Sequence, residues 1–106
     1  MGRIENILAD CAILPGTVGY GYLVAAIDRA ITQNPPRNIF KGTAEALGVP
    51  PETLRAAISR TLEAATRAWN WDRIPEQIKR AVSARTGTIS SREFVCTVAY
   101  ILRQEK

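Results

Sequence analysis

Histidine is missing from all 106 residues, and cysteine occurs only at Cys11 and Cys96, far apart and without CxxC spacing. These absences remove a histidine-based triad, a histidine general base and the common structural zinc sets, because two thiols alone do not complete a four-coordinate site. No catalytic residue, metal or cofactor is expected. An enzyme is the weakest functional class, since no convergent acid, base and nucleophile set can be assembled without histidine. Long apolar runs are missing too. Nothing approaches the roughly 20 residues needed to cross a bilayer, and the opening "MGRIENILADCAIL" carries acids where a secretion signal would carry an apolar block. Met1-Gly2-Arg3 opens like a myristoylation site, but Asn6 stands where serine or threonine is wanted. A cytoplasmic location without a membrane partner is expected.

What is present is enough for one core. With 46% hydrophobic and 23% charged residues, a chain of this size buries about two-thirds of the surface exposed by its unfolded form. Cys11 and Cys96 are expected to pack as small core residues, Cys96 beside Phe94, Val95 and Val98. The net charge is +4 and unevenly spread: residues 73 to 106 carry seven bases against three acids, whereas residues 1 to 36 carry two against three. A basic end suits an anionic partner such as nucleic acid, although many basic surfaces bind nothing anionic.

Apolar residues recur at steps of three and four, and no stretch alternates as an exposed strand would. The pattern predicts an all-α chain of six helices in a single domain. Helix one covers about Arg3 to Ala12, stopped by Pro15-Gly16, and helix two about Gly19 to Gln33, ended by "NPPRN". Helix three covers about Asn38 to Leu47, with Asn38 as a side-chain cap and Gly48 as a left-handed closing residue. Helix four starts at Pro51, a first position where the missing donor does no harm, and runs to about Trp69. Helix five starts near Ile74-Pro75, turns Ile78 and Val82 inward, and is broken at Thr86-Gly87. Helix six opens with "SSRE", a capping box in which Ser90 caps and Glu93 reaches back to the Ser90 amide. Tyr20, Tyr22, Trp69 and Trp71 are expected to pack, not to serve as stacking platforms.

Helix three, the Gly48-Val49-Pro50 turn and helix four have the length of a helix-turn-helix, with Ala44 small enough to let the second helix approach. On a 100° wheel Leu54, Ile58, Leu62, Ala65 and Trp69 form one arc, which is core. The opposite arc holds Glu52, Ala56, Ser59, Arg60, Glu63 and Arg67, with Arg55 at its edge. Short side chains flanked by arginines allow a helix to lie close to base edges while arginine reaches guanine or a phosphate. Arg55 and Arg60 are expected to contact bases or phosphates, with Ser59 and Thr53 hydrogen-bonding nearby and Ala56 allowing the close approach, while Arg67, Arg37, Lys41, Lys79, Arg80 and Arg85 are expected to meet the DNA backbone. The bland alternative is a solvated outer face on an ordinary helical pair.

Three segments carry a family resemblance. "GYGYLVAAI" at 19 to 27 is similar to G-Y-x-Y-L-x-x-A-I, "AAISRTLEAA" at 56 to 65 to A-I-x-x-x-I-E-x-A, and "SSREFVCTVAYILRQE" at 90 to 105 to N-S-E-F-x-x-x-V-A-x-x-L-R-x-E. These are patterns of the C-terminal effector domain of the sporulation initiation response regulator family, stage-zero protein A. The chain resembles it from about Ile7 to the end, with one short deletion near "QNPPRN". The resemblance implies a six-helix domain whose helix-turn-helix, formed by helices three and four, enters the major groove of promoter DNA, often as tandem copies on repeated sites. Its recognition helix corresponds to residues 51 to 69 here, with Arg55, Ala56, Ser59 and Arg60 at the places from which the family reads bases and contacts phosphate.

Two departures shape the expectation. The family has Glu-Arg, two residues, then Arg-His, where this sequence has Arg55-Ala56 and then Ser59-Arg60. A different DNA box is therefore expected. The family also carries an N-terminal receiver domain with an acidic phosphoacceptor pocket, whereas the likeness here begins almost at the first residue, as in a stand-alone relative or an excised fragment. Expected partners are double-stranded DNA, a second copy on tandem sites, and a transcription-machinery or regulatory protein. The alternative function is a helical protein-interaction module that has lost or altered DNA binding.

Overall fold

The computed structural model describes residues 2–33, 37–83 and 85–104. Among them the chain is all-helical: α1 (Arg3–Asp10), α2 (Tyr20–Thr32), α3 (Ile39–Leu47), α4 (Pro51–Arg67), a single 3-10 turn (Trp71–Arg73), α5 (Glu76–Ala81) and α6 (Ser91–Gln104). The expected break at "NPPRN" lies outside the described residues except for Arg37 and Asn38. One continuous core runs through the bundle, with Leu8, Leu23, Ile27, Leu54, Ile58, Ile78, Phe94 and Val98 fully buried. Helix α2 is the central element, packed by α6, α3, α4 and α1, and α5 lies against α6.

Several ends differ from the sequence expectation, each for a local reason. Helix α1 stops at Asp10, short of Ala12. Ala12 takes the left-handed conformation at φ 61°, its amide bonds the Ala9 carbonyl at 3.0 Å, and the Ile13 amide bonds the Leu8 carbonyl at 2.9 Å. That pair of bonds is a Schellman closure, with Ile13 and Leu8 both buried beneath it. Helix α3 closes the same way at Gly48, φ 72°, with Val49 bonding back to Ala44 at 3.0 Å. Asn38 precedes α3 but is itself left-handed, and its side chain makes no capping bond, so the expected cap is absent.

Helix α5 is much shorter than expected. The backbone turns extended at Val82 because the Ser83 amide donates to the Thr88 carbonyl and the Gly87 amide donates to the Ser83 carbonyl, each at 2.8 Å. These bonds close a loop where the apolar pattern alone would continue a helix, leaving Val82 half-buried against the core. Before α6, Ser90 does cap: its Oγ accepts from the Glu93 amide at 3.1 Å and donates to Glu93 Oε1 at 3.2 Å. The reciprocal bond of the box therefore runs through the serine hydroxyl, not its amide.

Trp69 fastens the far end of α4. Its Nε1 donates to the Cys11 carbonyl at 2.7 Å in a buried bond, and its ring meets Trp71 edge-on at 6.0 Å between centroids. Tyr20 and Tyr22 are half-buried against the core, as packing residues should be. Cys11 is buried, whereas Cys96 is only half-buried, which corrects its expected place inside the core.

Candidate nucleic-acid interface

Helix α4 begins where the sequence places it. Pro50 is extended at ψ 141° and Pro51 takes the first helical position, as the restriction on residues before proline requires. Leu54, Ile58, Leu62, Ala65 and, just beyond the helix, Trp69 face the core. The opposite side is open: Glu52, Thr53, Arg55, Ala56, Ser59, Arg60, Glu63 and Arg67 are all exposed. No side chain caps the first turn, so its amides point outward at the positive end of the helix dipole.

This exposed ridge is bordered on both sides. On one side the loop between α1 and α2 runs along α4, and the Gly19 amide donates to Thr61 Oγ1 at 3.0 Å in a buried bond. Gly19 has an ordinary φ of −86° and is there for its lack of bulk, since a Cβ would lie 2.7 Å from the Ala57 carbonyl oxygen and collide with the Thr61 hydroxyl. On the other side Ser59 Oγ and Ser91 Oγ share a hydrogen bond at 3.0 Å, which sets the first turn of α6 against the middle of α4. Farther along, Glu63, Thr66, Arg67, Thr86, Gly87 and Thr88 line a cleft of about 330 Å3.

The expected contact residues therefore fall into groups. Thr53, Ala56, Ser59 and Arg60 share the ridge. Arg55 is exposed, but its guanidinium carbon sits 5.9 Å from the centroid of the Phe40 ring, a cation–π contact that lays the charge over α3. Arg37 and Lys41 lie around the start of α3, where with Arg29, Asn38, Gly42 and Glu45 they border a groove of about 300 Å3. Arg67 and Arg85 flank the Thr86–Thr88 loop. Lys79 and Arg80 sit on α5, which packs on α6, and Arg80 Nε pairs with Glu76 Oε2 at 3.8 Å in an exposed i,i+4 contact.

Arg92 was not among the expected residues. It is exposed and directly follows Ser91, the residue whose Oγ bonds Ser59 Oγ. Only the tertiary contact reveals this, because no local spacing links residues 59 and 92. Among the described residues no group of three or more His, Cys, Asp or Glu comes together to hold a metal ion, and no helix is long and apolar enough to cross a membrane.

Comparison with protein-family models, curated proteins and solved structures found no match.

Proposed function

We propose that the chain is a sequence-specific double-stranded DNA-binding module acting in transcription, with α4 as the recognition helix. The supporting observation is the ridge Thr53, Ala56, Ser59, Arg60: exposed along one side of α4, the helix that also carries the exposed Arg55 and Arg67. A B-form major groove about 12 Å wide admits a helix of this kind. In the ridge, Ala56 lets the backbone approach, and Ser59 keeps hydrogen-bonding capacity beyond its bond to Ser91. Arg60 supplies five donors in a fork that matches guanine or phosphate. Outward amides at the start of α4 favour a phosphate there, while Lys41, Arg37 and Arg85 serve the backbone on either side.

The resemblance to the sporulation regulator effector family points the same way and supports promoter DNA, and tandem copies, as the target. The changed residues Arg55-Ala56 and Ser59-Arg60 mean that the base preference is this chain's own. Selection of bound duplexes from a random pool tests the proposal. A recovered motif supports it, and a pool that stays random at low and moderate salt overturns it.

A protein-interaction module is the second function, favoured by Arg55. Folded over Phe40, it withdraws a cation from the ridge, where Glu52 and Glu63 leave the remaining charge mixed. A partner captured through this face without any salt-sensitive duplex binding would decide for it.

A further inference from the structure

Beside the ridge lies an apolar groove of about 430 Å3 between the loop joining α1 to α2 and one side of α4, with Ile13, Val18, Ala57, Arg60, Thr61 and Ala64 in its wall. Its volume falls within the range of about 300 to 1,000 Å3 typical of small-molecule sites. Arg60 is the only ionisable side chain in the lining, and it makes no ion pair with a carboxylate among the described residues. Val18, in the wall, leaves 83% of its surface to water, so apolar surface is held open there.

The groove is built, not merely left over. Ala12, in its wall, is a non-glycine residue in the left-handed region at φ 61°, a conformation that persists only where surrounding contacts fix it. Those contacts are identifiable. The Trp69 bond to the Cys11 carbonyl anchors the residue before it, the Gly19–Thr61 bond anchors the far end of the loop, and Thr17 Oγ1 donates to the Leu14 carbonyl at 2.8 Å within it. A preformed apolar slot spends little of its binding energy on ordering the protein.

We infer that this groove binds a small amphiphilic carboxylate, its chain between Val18 and Ala64 and its anionic head on the Arg60 guanidinium. The charge pattern favours this class: a cation is repelled by the exposed guanidinium, an uncharged apolar molecule leaves it to water and gains nothing from it, and a carboxylate adds the charge-assisted pair that arginine geometry favours. The site goes beyond the proposed DNA binding and does not depend on it. Because the head group and a DNA phosphate would call on the same guanidinium, occupancy would also oppose use of Arg60 on the ridge.

The experiment uses the free full chain without DNA, with decanoate as the probe and decanol as its uncharged counterpart, each titrated while the amide resonances are followed. Expected are saturable shifts clustered on Val18, Thr61 and Ala64, with decanol about tenfold weaker and Arg60→Gln losing about tenfold in decanoate affinity, the scale of one charge-assisted pair. Ala64→Phe, at an exposed helical position, should fill the slot and abolish the shifts while the melting transition persists. Equal affinity for decanoate and decanol, shifts scattered away from the groove, absence of saturation, or undiminished binding by folded Ala64→Phe would each overturn the inference. None of these readouts involves a duplex, so a failure here is separable from a failure to bind DNA.

Discussion

At the scale of single residues, Arg60 and Cys11 make opposite demands on their surroundings. Arg60 stands exposed on the ridge, so its replacement should leave folding intact and act on recognition. If it makes a bidentate base contact, Arg60→Ala should cost about 1 to 3 kcal/mol on a selected duplex and relax the preference at one position. Arg55→Ala should cost more in stability than in base preference, since its cation–π contact with Phe40 ties α4 to α3; paired melting and duplex-binding measurements on the two variants separate the roles. Cys11 is the reverse case. Burial first, and Asp10 second, push its thiol from 9.0 up to about 12. Above about pH 9 the unfolded chain releases this proton while the folded chain holds it, so the thiol's contribution to stability is complete below that pH and is lost as pH rises toward 12. The stability difference between wild type and Cys11→Ala, measured by urea unfolding, should therefore shift against the wild type between pH 9 and about 12. A difference that stays constant across the window would mean that the thiol is not desolvated.

At the scale of elements, the same closure occurs twice with different residues at its critical position. Helix α3 ends on Gly48 at φ 72°, with nothing within 4 Å of where a Cβ would stand, so Gly48→Ala meets the left-handed backbone penalty, about 1 to 2 kcal/mol, partly offset by the smaller unfolded-chain entropy of alanine, a net loss of about 0.5 to 1 kcal/mol. Helix α1 ends on Ala12 at φ 61°, so Ala12→Gly should relieve a similar penalty. Part of that gain is offset by the larger entropy of glycine in the unfolded chain, leaving a net stabilisation of about 0.5 to 1 kcal/mol. Opposite signs in denaturant unfolding of the two variants are the expected outcome. This pair also shows what the sequence makes legible. Gly48, Pro51 and the apolar arc from Leu54 to Trp69 announce the turn and the face of α4, because glycine, proline and a 3.6-residue period each carry a local physical cause. Ala12 announces nothing, since alanine is the best helix former and takes the left-handed conformation only under the Ile13 to Leu8 bond and the burial of both residues. Helix α5 fails in the same way: Val82 continues the apolar pattern, and the bonds joining Ser83 to Thr88 and Gly87 prevail. The ridge was legible residue by residue, whereas its border with α6 through Ser59 and Ser91, and with it Arg92, depends on contacts between distant segments.

At the scale of the whole molecule, α4 has 17 residues in a body whose extents are 36 × 30 × 29 Å. At 1.5 Å per residue it is about 25 Å long, so it runs across most of one face. The positive charge of the chain is concentrated toward its C-terminal third, while Arg37 and Lys41 stand near the start of α3 and Arg85 and Arg92 are exposed by the loop and in the first turn of α6. A recognition helix seated in a groove has a phosphate strand on each side, and under the proposed function these two groups of cations would flank it, one toward each strand. Each phosphate neutralised contributes about 0.9 to the slope of log affinity against log salt on B-form DNA. The double variant Lys41→Gln with Arg92→Gln, one from each flank, should therefore flatten that slope by about twice this amount and weaken all duplexes alike. Arg60→Ala should do the converse, changing which duplex is preferred more than how steeply salt acts. Parallel salt titrations on a selected and a scrambled duplex distinguish the two kinds of loss. If the Lys41 and Arg92 variant kept the wild-type slope, the flanks would not lie along phosphate strands, and α4 would have to engage something other than a duplex groove.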